Sequence, residues 1–151
     1  MKYPFGFLVL VLLLWSCSKT IIPYERTGKV NAISHENAIV VLSSQGQAEH
    51  LDKSVYYAER NAFENLLFKG IPNTNQESPM VPNEYLALED NGVILERLLV
   101  NQGYKRFIMD SYTSHSSVSR GVTFVDQVIK IDLRGLRNFL QEEGITKKFG
   151  L

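Results

Sequence analysis

Three features of the sequence predict an α+β domain of two layers, with helices on one face of a mainly antiparallel sheet, in the order β-α-α-β-β-α. Apolar residues recur at three- and four-residue steps around residues 55–67, 94–99 and 133–140, the spacing of one helix face. Residues 38–44 and 122–133 are short runs rich in β-branched side chains, the composition of strands. Ser119-Arg120-Gly121 separates two strand-like runs and supplies a tight hairpin turn with glycine. Amphipathic helices need a sheet face to cover, so the elements stack as two layers.

Taken in order, residues 18–30 contain Pro23 and Gly28, lack any sustained period and are expected to form a tether. Residues 38–44 give the first strand. The first helix follows, with Asp52 as its expected N-cap. Its stripe is Val55, Ala58, Ala62 and Leu66, with Phe63 and Leu67 beside it. The two alanines would let its backbone lie close to the sheet. Leu66, Leu99 and Leu140 are each followed four residues later by a glycine (Gly70, Gly103, Gly144) and then by Ile71, Tyr104 or Ile145. That spacing predicts three Schellman stops, each glycine left-handed and the next apolar residue folded back on the leucine. Residues 70–83 hold Pro72, Pro79 and Pro82 and read as a long loop, in which exposed Met80 and Val81 would form a contact surface. A helical turn over 83–90 and a helix over 91–102 come next, with Ile94, Leu95, Leu98 and Leu99 inward. Strands are expected over 104–117 and 122–133. Thr123, Val125, Gln127, Ile129 and Ile131 fall on the helix-covered face, joined by Phe107 and Met109 from the neighbouring strand. The last helix starts at an Asp132 cap and buries Leu133, Leu136 and Leu140. The tail from Ile145 to Leu151 alternates apolar and basic residues and is expected to pack on the domain.

The first seventeen residues carry a separate message. One lysine, Lys2, precedes an uncharged and mostly apolar run over residues 5–15, which ends at Ser16 and the chain's single cysteine, Cys17. As a helix the run would span roughly 16 Å, about half of a ~30 Å hydrocarbon layer, which suits a secretory signal and not a membrane span. The motif Leu14-Trp15-Ser16-Cys17 resembles the lipobox of bacterial lipoprotein precursors, with Trp15 where that family usually has a small residue. The chain is similar in this respect to small envelope lipoproteins of Bacteroidota. The resemblance implies diacylglyceryl attachment to the Cys17 thiol, cleavage after Ser16 and acylation of the new amino terminus. It also implies a layout of signal peptide 1–16, lipidated tether 17–30 and a single domain 31–151. Serine, not aspartate, follows Cys17, which under the enterobacterial sorting rule favours the outer membrane. No acidic cluster marks surface export, so a periplasm-facing position is expected.

Removal of Met1–Ser16 leaves 135 of the 151 residues, enough for one domain with a real core, at a net charge of −1 once Lys2 is lost. With no basic stripe, nucleic acid is not expected as a partner. No thiol is left for catalysis or metal binding after Cys17. His35-Glu36-Asn37-Ala38-Ile39 begins like a zinc-protease motif, but Ile39 stands where the second histidine must be. Asp110, His115 and the surrounding serines contain the letters of a catalytic triad without a nucleophile elbow. If Ser111, Thr113, His115 and Ser117 alternate outward, they form a polar ladder able to hydrogen-bond a glycan or a protein edge. The expectation is therefore a non-catalytic, lipid-anchored envelope module that binds another envelope protein, with no cofactor and no metal. The alternative is a lipid-anchored domain that binds or hydrolyses cell-wall glycan through residues 110–119.

Overall fold

The computed structural model describes residues 24–26 and 29–147. The expected signal peptide, Cys17 and the end of the tail lie outside the described residues. Four strands, β1 (Val30–Glu36), β2 (Ile39–Ala48), β3 (Ile108–Ser119) and β4 (Val122–Asp132), form one antiparallel sheet in the order β1-β2-β4-β3. Three helices, α1 (Leu51–Phe68), α2 (Glu84–Leu99) and α3 (Leu133–Glu142), and a 3-10 turn over Gly103–Phe107 complete the domain. It is a two-layer α+β fold, with β1 as a strand additional to the expected order. β1 and β2 are joined by Asn37 and Ala38, with Asn37 left-handed at φ 50°.

α1 covers the inner face of β2 and β4. Along β2 burial alternates strictly, with Val40, Leu42, Ser44, Gly46 and Ala48 inward. The registered β4 partners Ile131, Ile129, Gln127, Val125 and Thr123 are those expected on that face. Ala58 and Ala62 are fully buried against the sheet. Gly46 takes the approach further: a methyl group there would lie 2.1 Å from the Ser54 carbonyl oxygen. Ser44 Oγ donates to the Ala58 carbonyl (2.6 Å) and Ser54 Oγ to the Thr123 carbonyl (2.9 Å), tying helix to sheet where the backbones touch. The core continues through Phe63, Leu66, Leu95, Leu98, Leu136 and Tyr104, whose ring stacks on Phe63 at 4.8 Å.

Several local expectations are corrected. α1 begins one residue before Asp52; the cap position is His50, which makes no side-chain cap bond, and Asp52 sits in the first turn. Only Gly144 completes a Schellman stop, with Ile145 N donating to the Leu140 carbonyl (2.9 Å) and Gly144 N to Gln141 (3.2 Å). Gly70 is left-handed, but the six-to-one bond comes from its own N–H to Asn65, and Ile71 N turns to Gln76. At the end of α2 the left-handed residue is Gln102, not Gly103. α2 kinks at Asn91 (φ −129°, ψ 23°), where the turn over 83–90 meets the following helix, and it ends at Leu99. Residues 103–107 are a 3-10 turn and not strand; Phe107 is buried, whereas Met109 is a bulged residue, 55 % exposed. The 70–83 loop is pinned. Met80 N and Val81 N donate to the Leu66 and Leu67 carbonyls, and Val81 is 3 % exposed, so it is core and not a contact surface.

Candidate functional site

β3 is one of the two sheet edges (β1 is the other) and pairs only with β4. It is twelve residues long, and from Tyr112 onward every residue is exposed. Between Asp110 and Arg120 it carries no formal charge other than the titratable His115, and it contains no proline. Natural edge strands are usually short or guarded by lysine or proline, because their outward N–H and C=O groups template pairing with another chain. Here the guards are two bulges, at Met109 and Ser114, and no charged side chain projects from the middle of the strand. Three large apolar side chains stand out along it: Met109, Tyr112 (55 % exposed) and Val118 (72 %), with Phe124 beside them on β4.

The Ser114 bulge decides which side chains share a face. Ser111 and Thr113 pair with Ile129 and Gln127 and lie on the helix side; His115, Ser117 and Ser119 pair with Asp126, Phe124 and Val122 and lie on the open side with Tyr112 and Asp110. The expected ladder of Ser111, Thr113, His115 and Ser117 on one face is therefore corrected: the extra residue turns the second half over. His115 and Ser111 face opposite ways, so they cannot act as base and nucleophile. Ser114 Oγ donates to the Asp126 carbonyl. Two concavities are lined elsewhere: a groove of about 960 Å³ between Met80, Val81, Leu86, Leu140 and Ile145, and a smaller one of about 460 Å³ along β1 and Pro72.

The inner end of β3 is anchored through a part-buried polar chain that sequence reading missed. Thr113 Oγ1 donates to Gln127 Oε1 (2.7 Å), Gln127 Nε2 to Ser111 Oγ (2.7 Å), and Ser111 Oγ to Glu59 Oε1 (3.2 Å). Tyr104 Oη reaches the other Glu59 oxygen at 3.3 Å. Burial, and then the Glu59 charge, raise the Tyr104 hydroxyl well above its ordinary 10.0. These groups satisfy one another and hold β3 at its start, while α1 does not reach its far half.

A second cluster surrounds Glu64, whose side chain is 2 % exposed. It receives Tyr24 Oη (2.7 Å), Arg26 Nε (2.6 Å) and Arg60 Nε (2.8 Å), and Arg26 also grips Glu84 with both terminal nitrogens. The Arg60 guanidinium stacks 4.0 Å from the Tyr24 ring. Burial, followed by the hydrogen bond to Glu64, raises the Tyr24 hydroxyl. Within the segment expected to be tether, Tyr24 and Arg26 are thus fastened to α1 and α2. A Tyr-x-Arg after the proline was the available signal, but its partners are about 40 residues away in sequence.

Among the described residues no group of three His, Cys, Asp or Glu side chains could hold a metal ion, and no helix is long and apolar enough to cross a membrane. Comparison with family models, curated proteins and solved structures finds no match for this chain.

Proposed function

We propose that this chain is a membrane-anchored envelope lipoprotein of a bacterium, a non-catalytic docking module held by acyl chains on Cys17, in the outer membrane and facing the periplasm. Its partner is a protein that adds a strand to β3. The anchor half rests on Leu14-Trp15-Ser16-Cys17 following a short apolar run. Three acyl chains, each methylene worth about 0.8 kcal/mol when buried, hold far more firmly than one. The docking half is carried by one observation, the exposed and almost uncharged outer edge of β3. Strand addition takes its affinity from main-chain hydrogen bonds, which such an edge offers, and its specificity from alternate side chains such as Tyr112 and Val118.

Two substitutions test the two halves. Cys17→Ala should abolish labelling by palmitate analogues and move the protein out of the membrane fraction; retained labelling refutes the anchor. Val118→Lys should leave the unfolding midpoint unchanged, because the side chain is 72 % exposed, yet abolish partner pairing by placing a charge on the edge. Undiminished pairing refutes docking at β3.

A further inference from the structure

The groove of about 960 Å³ lies between the 70–83 loop, α2 and the end of α3, and docking at β3 makes no use of it. Met80 and Val81 wall it from the loop, Leu86 from α2, and Leu140 and Ile145 from α3 and the turn after it. The main-chain N–H groups of these walls are already spent. Pro79 and Pro82 have none, and Met80 and Val81 give theirs to the Leu66 and Leu67 carbonyls. Leu86 N donates to Asn83 Oδ1, and Gly144, Ile145 and Thr146 donate to the Gln141 and Leu140 carbonyls. A peptide strand laid here would find no main-chain donor along them.

Charge enters the groove at Arg137, about one turn before Leu140 on α3. Its Nη2 donates to Gln76 Oε1 at 2.7 Å. Gln76 is 8 % exposed and is held in turn: its carbonyl accepts from Ile71 N, its N–H donates to Thr74 Oγ1 and its Nε2 to the Ser78 carbonyl. A neutral amide thus fixes the guanidinium, and among the described residues Arg137 meets no carboxylate. A guanidinium carries five donors in a planar fork, so most remain to grip a carboxylate two at a time. Lys147 lines the groove as a second cation, against a single carboxylate among the described lining residues, the exposed Asp90. The balance favours an anion.

We infer that this groove binds a single-chain anionic amphiphile, a long-chain carboxylate with its head on Arg137 and its alkyl chain between α2 and α3. An alkyl chain asks for no hydrogen bond from walls that have none to give, and the carboxylate answers the one preset cation. Length follows from size. Ligand sites run to roughly 300–1,000 Å³, and a short acid would leave most of this groove wet.

The test takes the full chain in phosphatidylcholine nanodiscs with diazirine-bearing palmitate as the probe. Irradiation should place adducts within residues 80–86 and 140–145, and palmitate should compete them away while methyl palmitate, which enters the disc but has no charge, should not. Arg137→Gln should lower the labelling about tenfold with the urea midpoint unchanged. Leu86→Asp, at a half-exposed position, should lower it likewise by setting a like charge in the groove. Equal competition by the methyl ester, or full labelling of Arg137→Gln, overturns the head site. Adducts spread evenly over the surface, or none, overturn the groove as a ligand site. Labelling that appears only after removal of residues 148–151 overturns it too, because the chain's own last residues would then be the occupant.

Discussion

Gly46→Ala would set a methyl group 2.1 Å from the Ser54 carbonyl oxygen and 2.5 Å from the Ala58 nitrogen, both main-chain atoms that cannot turn aside. Sheet and helix must separate, and the expected loss is on the order of 3 kcal/mol, read as a lower urea midpoint or as loss of soluble protein. Gly144→Ala meets open space and strains only the left-handed backbone at φ 73°, so about 1 kcal/mol is expected. The left-handed glycines at 70 and 144 were legible because the leucine and the apolar residue flanking each are local in sequence. Gly46 was not, because what forbids its side chain is a helix that arrives from elsewhere in the fold. Two tyrosines give a pH signature. Tyr24 and Tyr104 are held protonated in the fold above their ordinary 10.0, by burial first and then by Glu64 and Glu59 respectively. Above pH 10 the unfolded chain releases these protons and the folded one keeps them, so stability is constant below that point and falls as pH rises beyond it. Tyr104→Phe should flatten the alkaline slope of the urea midpoint; an unchanged slope contradicts the assignment.

Elements were legible wherever their period was unbroken. α1, the kinked α2, α3 and the β3–β4 hairpin follow the apolar spacing and the Arg120-Gly121 turn, both residues of which have positive φ. What escaped was irregular: β1, whose alternation stops at a bulge after Ala32, the 3-10 turn over 103–107, and the two bulges of β3. A bulge leaves no mark in a serine-rich run, because either face accepts serine, and so the strand itself was expected while the sharing of its faces was not. Helix starts show the same divide. Asp132 Oδ1 accepts from Arg134 N and Gly135 N at 3.0 and 3.1 Å, so Asp132→Ala should cost about 1 kcal/mol. Asp52→Ala removes no cap bond, since the cap position of α1 is His50, and should cost a few tenths of that through the helix dipole alone. Equal losses in the two variants would refute this difference.

At the scale of the whole molecule, given the anchor proposed at Cys17, the fastening of residues 24–26 limits how far the domain can stand from a membrane. Six residues separate Cys17 from Tyr24, seven steps with a contour of about 24 Å at full extension, whereas a tether free to Val30 would have nearly twice that length. On that proposal the Glu64 cluster would restrict the orientation of the domain as well as pack its helices. Glu64 is nearly fully buried and takes three donors, so Glu64→Ala removes every carboxylate bond that holds Tyr24 and the shortest of the three that hold Arg26. Release of that segment opens the peptide bond after Arg26, the first arginine of the chain, to an arginine-specific protease that ignores Lys19 and Lys29, and cleavage there would part the domain from the proposed anchor. In membranes carrying the full chain, that arginine-specific protease should free the domain into the supernatant at least about tenfold faster from Glu64→Ala than from wild type, in proportion to the larger open population. Glu84→Ala loosens only the exposed grip on Arg26 and should fall between the two. Equal rates for all three would mean that Tyr24 and Arg26 leave α1 as readily with Glu64 present as without it.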